Sequence, residues 1–235
     1  MNIAERVWRP AYEVSLRQPL DWEDGSLVLI HPQLDIFHVG VSPSWTKKVY
    51  DAMAAASHHT FVVPTRHPHI MMRWALARPL RNVWLGVMVS DQFGANELMP
   101  DLMKVCDGIL KFVWCEPLLG LIDLESWIER LGWVIAGGGT GMDALPVHPG
   151  WVRWLRDQCQ KAGKPFFFRQ WGEWLPEDQV DMRGRFPSIG VQVILDRGGN
   201  SGKLRGIDEV KVYRVGRDAA GNSLDGRHWL EVPGR

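Results

Sequence analysis

Six apolar runs, at residues 26–30, 60–63, 83–89, 109–114, 133–136 and 165–168, are the feature that most constrains the fold of this 235-residue chain. Their starts lie about 23 to 34 residues apart, the length of a strand plus a crossover helix. Apolar strands alternating with amphipathic helices imply a parallel sheet covered by helices, hence an α/β fold. Six strands in series predict a partial (β/α)6 TIM-like barrel rather than a closed one of eight.

The intervening segments carry helix signals. Ser42 and Pro43 supply an N-cap and a proline at the first helical position before residues 45–56. Asp123 is placed to cap a helix over residues 124–130. Between residues 149 and 162, Trp151, Trp154, Leu155, Gln158 and Cys159 fall on one helical face, and Gly163 ends the turn.

Residues 1–25 show no periodicity and read as an extended lead-in, residues 26–175 as the βα partial barrel, and residues 176–235 as a small C-terminal extension. In the extension, Pro176, Pro187, Gly190 and residues 197–202 are loop chemistry. A hairpin is expected from residues 209–215 and 228–232, around the turn-rich residues 221–226.

Twenty-seven basic residues balance twenty-seven acidic ones, so no global field selects a polyanion or an anionic membrane. No apolar run approaches the roughly 18 residues that span a bilayer. Three cysteines, irregularly spaced, do not make a disulfide framework and fit a reducing cytoplasm. Thirteen tryptophans invite a reading as stacking platforms, but Trp84, Trp114 and Trp133 lie inside strand runs, where they fill a core.

If the strands are parallel, their C-terminal ends converge on one rim, where α/β folds gather chemistry. The candidates for ligand contact there are Asp35, Thr65, Arg66, Asp91, Glu116, Gly137, Gly138, Arg169 and Gln170. Asp91 and Glu116 are potential acids or bases whose structural alternative is a helix cap or a loop tie. Gly137-Gly138-Gly139-Thr140-Gly141 permits close backbone approach and offers amides to a carboxylate or phosphate, although a tight turn alone explains several glycines. The loop is neither a Walker loop nor a dinucleotide fingerprint. His67-x-His69, with Asp35, Glu116 or His148, has a spacing used by metal-dependent hydrolases, a weak signal among eight histidines. Cys115 follows an apolar run and reads as a buried thiol more than a nucleophile.

The strand endings also carry a family resemblance. Asp35-Ile36-Phe37, Thr65-Arg66-His67-Pro68, Val83-Trp84-Leu85-Gly86-Val87, Cys115-Glu116-Pro117-Leu118-Leu119-Gly120, Trp133-Val134-Ile135-Ala136-Gly137-Gly138 and residues 166–174 come in the order of a family of phage and prophage proteins, and residues 220–227 match its ending. Fuller members of that family look like radical-SAM enzymes with an N-terminal three-cysteine motif. The resemblance implies a radical-SAM-like barrel in the cytoplasm of a bacterial or phage-infected cell. This chain lacks the cysteine-motif segment, and the strand that carries it is expected to be missing, leaving an open sheet edge beside residues 26–30. Cys106, Cys115 and Cys159 belong to different elements, so an iron–sulfur cluster on this chain alone is not expected. The family's usual Gly-Gly-Glu-Ser is here Gly137-Gly138-Gly139-Thr140.

Three readings follow. The chain is a cluster-less barrel keeping a pocket for a small ligand, a nucleoside or S-adenosylmethionine-like molecule. Alternatively, it is one chain of a split enzyme completed by a partner chain, with a homo-oligomer as another way to cover the edge. Or it is a nucleic-acid or protein interaction module, on a small basic excess in residues 180–235 that includes Arg214, Arg217 and Arg227.

Overall fold

The computed structural model of the chain describes Ala4, residues 6–179, the strand backbone of residues 192–195, and residues 210–234. Its centre is one seven-stranded sheet made of β1 (Arg6–Trp8), β2 (Leu27–Ile30), β3 (Thr60–Thr65), β4 (Val83–Val89), β5 (Lys111–Cys115), β6 (Trp133–Ala136) and β7 (Phe166–Phe168). The strands follow one another in chain order and every pairing is parallel. The helices α1 (Pro43–Ala55), α2 (Pro68–Ala77), α3 (Gln92–Leu102) and α4 (Pro149–Lys161) flank this sheet, which curls into a half-barrel.

Residues 6–8 are the main departure from expectation. The lead-in contributes β1, which pairs with β2 through Trp8 opposite Ile30, so the edge beside residues 26–30 is covered and the sheet has seven strands. Trp8 is fully buried, packs against Phe61 at 5.5 Å between ring centroids, and donates its indole N–H to the Ser15 carbonyl at 2.8 Å. A single deeply buried indole anchors a strand too short to show a period.

Period two sorts the sheet residues into two clusters. Val28, Ile30, Val63, Val87, Val113 and Val134 join the larger core with helix residues such as Met53, Met71 and Leu155. Leu29, Val62, Phe112, Trp114, Trp133 and Phe167 form a second cluster on the concave face, with Trp84 and Met88 half-buried against it. Gly86 is required there, because a Cβ would lie 2.3 Å from the Phe112 ring. Pro64 sits inside β3 without disrupting a ladder on both sides, since β2 pairs with β3 only as far as Val62.

Helix caps follow the sequence. Ser42 Oγ accepts from Trp45 N at 3.2 Å to start α1, and His148 Nδ1 accepts from Gly150 N at 3.0 Å to start α4. The helix expected over residues 124–130 is instead turns ending in one 3-10 turn at Ile128–Arg130. Side chains of the flanking helices take its amides: Gln92 Oε1 accepts from Asp123 N, and Gln158 Oε1 from Leu124 N, both at 2.6 Å.

The C-terminal extension also differs from the expected hairpin. β10 (Val210–Arg214) pairs antiparallel with both β8 (Trp174–Pro176) and β9 (Gln192–Leu195). After the short helix α5 (Arg217–Ala220), the hairpin is β11 (Ser223–Leu224) with β12 (Arg227–His228). Residues 229–231 turn back onto β7: Phe168 N donates to the Trp229 carbonyl at 2.8 Å, and Leu230 bridges Phe167. The tail thereby covers the β7 edge. The loop expected across Pro187, Gly190 and residues 197–202 lies outside the described residues. Among the described residues no helix is long and apolar enough to cross a membrane.

Candidate functional site

Parallel strands place all their C-terminal ends at one mouth, and period two decides which residue just beyond each strand faces the concave side. Glu116 continues the Phe112, Trp114 series, Gly137 the Trp133, Ile135 series, and Arg169 follows Phe167. These three are neighbours in register, because Cys115 pairs with Ala136 and Ala136 with Phe168.

Glu116 reaches across Gly137 to Arg169. Its Oε1 accepts from Arg169 at 2.7 Å and from Gln170 Nε2 at 2.8 Å, and its Oε2 accepts the Trp114 indole N–H at 2.7 Å. The Glu116 side chain is 11% exposed and that of Arg169 33%. Arg169 also lies over the Trp114 ring, 5.9 Å from its centroid. Gly137 makes the crossing feasible, since a Cβ there would stand 2.9 Å from the Glu116 carboxyl carbon.

A second carboxylate organises the β2–β3 side. Asp35 accepts from Thr65 Oγ1 at 2.8 Å, from the backbone N–H groups of Phe37 and Arg66 at 3.0 and 2.9 Å, and meets His67 Nδ1 at 3.1 Å. Thr65 Oγ1 in turn accepts from His67 N at 2.8 Å. The acceptor capacity of Asp35 is thus taken up within the protein, and its work is to pin the β2 loop to the end of β3. Asp91 serves as the N-cap of α3, accepting from Gly94 N at 2.8 Å.

The glycine-rich loop is committed to its own neighbours. Gly138 N donates to the Gln170 carbonyl at 2.8 Å, and a Cβ on Gly138 would lie 1.8 Å from the Trp171 carbonyl oxygen. Gly141 N donates to Glu173 Oε1 at 2.9 Å, so the carboxylate that this amide holds is the chain's own. Glu116, Pro117, Leu119, Met142 and Leu145 help to line a groove of about 520 Å³ beside this loop.

The sequence candidates therefore separate. Glu116, Gly137, Gly138, Arg169 and Gln170 form one constellation, Asp35, Thr65 and the Arg66 backbone another, and Asp91 belongs to a helix start. Sequence reasoning missed Arg9 and His31. They stand side by side one residue beyond β1 and β2, where His31 N donates to the Trp8 carbonyl at 3.0 Å. Alternation puts both on the concave side with Leu29, and they line a common hollow of about 580 Å³. Burial holds the His31 imidazole below its ordinary pKa, assisted by the positive charges of Arg9 and Arg169. The signal for Arg9 was available only once β1 was known to be a strand, whereas His31 directly follows the apolar run at residues 26–30.

This arrangement belongs to a recognisable group of sequences. The chain belongs to the family described as "protein of unknown function (DUF5131)". The match covers residues 4–233, nearly the whole chain. No curated protein and no solved structure matches it.

The cysteines of this DUF5131 chain do not fit an iron–sulfur cluster, which needs a set of thiolates facing one site. Cys115 and Cys159 are fully buried in the core on the helix side of the sheet, opposite the concave face. Burial pushes the Cys115 thiol far up and that of Cys159 up to about 12. Cys106 sits apart, its Sγ against the Ala75 carbonyl at 3.9 Å. Nor do the histidines assemble a metal centre: His67 is joined to Asp35, while His148 is a buried helix cap and Glu116 is held by Arg169. Among the described residues no three His, Cys, Asp or Glu side chains group as metal ligands.

Three basic residues of the extension, Arg214, Arg217 and Arg227, have structural partners. Arg214 donates to the Gly141 and Met142 carbonyls at 2.8 and 2.7 Å, Arg217 pairs with Asp218 at 3.1 Å, and Arg227 covers the Trp229 ring at 4.1 Å.

Proposed function

We propose that this chain is a phage-type, radical-SAM-like half-barrel without a cluster that binds a small ligand, a nucleoside or S-adenosylmethionine-like molecule, at the C-terminal mouth of its sheet. The observation that carries the reading is the Glu116–Gly137–Arg169 crossing directly above the Trp114 indole on the concave face. A ligand site of this kind combines an apolar, aromatic floor with a few fixed polar groups. The half-buried Trp84 and Met88 supply the floor, and the buried Trp114 backs the crossing from beneath. Glu116 offers an acceptor already oriented by three donors, and Arg169 has guanidinium nitrogens beyond the one that Glu116 holds. The order of motifs at the strand ends and the singly wound parallel sheet support the radical-SAM-like part of the reading.

Equilibrium dialysis against adenosine, S-adenosylmethionine and S-adenosylhomocysteine tests the proposal. At least one is expected to bind and to lose affinity in Arg169→Ala. Failure of all three to bind would sink it.

A further inference from the structure

Two helices of this chain begin on the same dipeptide, and their histidines do different work. His148-Pro149 starts α4 and His67-Pro68 starts α2, each with histidine at the N-cap and proline at the first helical position. His148 is buried and its Nδ1 accepts from Gly150 N at 3.0 Å, the service of a capping side chain. The His67 ring makes no cap bond. It turns instead to Asp35, with Nδ1 3.1 Å from Oδ2 and side-chain exposures of 22% for His67 and 13% for Asp35. Thr65 Oγ1 and the Phe37 and Arg66 amides already pin the loop through this carboxylate, so the imidazole is a further donor that the loop does not need. A carboxylate only accepts, which places the His67 proton on Nδ1 and leaves the lone pair on Nε2. Nε2 has no hydrogen-bond partner among the described residues.

A carboxylate on one imidazole nitrogen makes the other a stronger electron-pair donor and holds the ring in one orientation. The neighbouring side chains are N–H donors. The His38 ring stands edge-on to His67 at 4.8 Å between centroids, and the His69 ring lies at 6.3 Å. His38 Nδ1 accepts from Gly40 N at 3.0 Å, so its proton is on Nε2. Arg66, between Thr65 and His67, is exposed and its guanidinium has no partner among the described residues. Such donors suit the oxygens of a transferring phosphoryl group. We infer that His67 is a phosphoryl acceptor, taking the group on Nε2 from a phosphoramidate, the class to which a phosphohistidine of another protein belongs. The Nε2 lone pair forms the new N–P bond as the donor's P–N bond breaks, and the donor nitrogen, already protonated, leaves neutral with that electron pair. The His67 ring becomes an imidazolium that keeps its Nδ1 proton, and Asp35 balances the charge at 3.1 Å. This site is separate from the nucleoside pocket proposed above: Thr65 follows Val63 in the period that faces the helices, whereas that pocket lies on the concave side.

Incubation of the full chain with potassium phosphoramidate tests this, with the adduct located by peptide mass mapping and its ring position read by NMR. His67 is expected to react faster than His38 and His69, and to carry the group on Nε2. Those two rings are the more exposed, so accessibility alone predicts the opposite order. In Asp35→Asn the His67 rate is expected to fall about tenfold, toward the rates of His38 and His69, which stay unchanged. Unchanged rates at His38 and His69 also show that the variant is folded. If they rise together the fold is lost, and the order of reaction and the ring position in the wild-type chain decide alone. A His67 rate no faster than those of His38 and His69, an adduct on Nδ1, or a rate indifferent to Asp35→Asn in the folded chain each overturns the inference. None of these outcomes bears on adenosine binding, so the nucleoside reading stands or falls separately.

Discussion

Glu116 and Arg169, 53 residues apart in sequence, meet at 2.7 Å across a glycine on the strand between them. The contact joins the ends of β5 and β7 over β6, so it fixes the curl of the sheet as well as the orientation of the arginine. Replacing Glu116 with Gln keeps the size and removes the charge that three donors share. Stability is expected to fall by about 1–3 kcal/mol, the usual penalty for a partly buried charged hydrogen bond left without its partner. In a double-mutant cycle with Arg169→Met, read by urea unfolding, a coupling of about 1 kcal/mol is expected; additive effects would show that the pair does not hold the strand ends together.

The glycines beside this contact should not behave alike. A methyl on Gly137 meets the end of a side chain, the Glu116 carboxyl, whereas a methyl on Gly138 or Gly172 meets backbone carbonyl oxygens at 1.8 and 2.0 Å. Gly137→Ala is expected to cost about 1–3 kcal/mol by overpacking and to displace Glu116. Gly138→Ala and Gly172→Ala are expected to cost more, because the β6 and β7 endings must separate. Gly163→Ala, which has a φ of +63° and open space around it, supplies the strain-only reference of about 1 kcal/mol. Thermal unfolding of the four variants ranks them, and a Gly163→Ala loss equal to that of Gly138→Ala would contradict the packing account.

Asp225 should tie the hairpin to α4. It accepts from Arg153 at 2.6 Å and Arg156 at 2.6 Å, while its own N–H donates to Gln179 Oε1 at 2.7 Å. Hydrogen bonding from Arg153 is the main reason that its carboxyl is lowered from 3.8 to about 2. The stabilising contribution is therefore complete above pH 3.8 and is lost as pH falls from there through about 2. Because the carboxylate is more than a third exposed, solvent screening leaves about 1 kcal/mol, which Asp225→Asn should remove at pH 7. Urea midpoints at pH 7 and pH 2.5 check this: the difference between the wild-type chain and the variant should shrink at the lower pH.

The strands at residues 83–89 and 133–136 could be read from the sequence because burial on both faces makes a run apolar without reference to its partners. The strand at Arg6–Trp8 could not, because its three residues owe their conformation to pairing with β2 and to the burial of one indole. Residues 124–130 resemble a helix locally, but only Ile128–Arg130 close a 3-10 turn, and Gln92 and Gln158 reach in from α3 and α4 to hold the Asp123 and Leu124 amides, which no helical carbonyl would take. Trp229 and Leu230 are apolar for a reason that no hairpin pattern contains, namely the edge of β7 that residues 229–231 cover. At the mouth, Glu116 and Arg169 were legible as strand endings. That Gly137 lets them touch required the register of three strands, and Arg9 beside His31 required the strand that the sequence concealed.

His59 offers a pH-dependent test of how the N-terminal segment is held. It is 1% exposed, its Nδ1 accepts from Ser26 N at 3.1 Å, and its Nε2 lies 2.8 Å from the Pro19 carbonyl oxygen. The acceptor role of Nδ1 fixes the neutral tautomer with the proton on Nε2, donated to Pro19. Burial lowers the imidazole pKa, outweighing the opposing hydrogen bond to Pro19, with His58 and Arg6 adding to the depression. In the unfolded chain the ring takes up its proton near pH 6.5, before the folded chain can. The contribution of His59 is then fully present above that pH and declines as pH falls toward the lower folded-state value, where both states are protonated. Protonation would place a donor opposite the Ser26 N–H and release residues 19–26 from the start of β2. Stability measured by urea unfolding between pH 7.5 and 5 is expected to fall more steeply in the wild-type chain than in His59→Gln, with His31 contributing equally to both. Parallel pH profiles would show that the buried imidazole does not govern this segment.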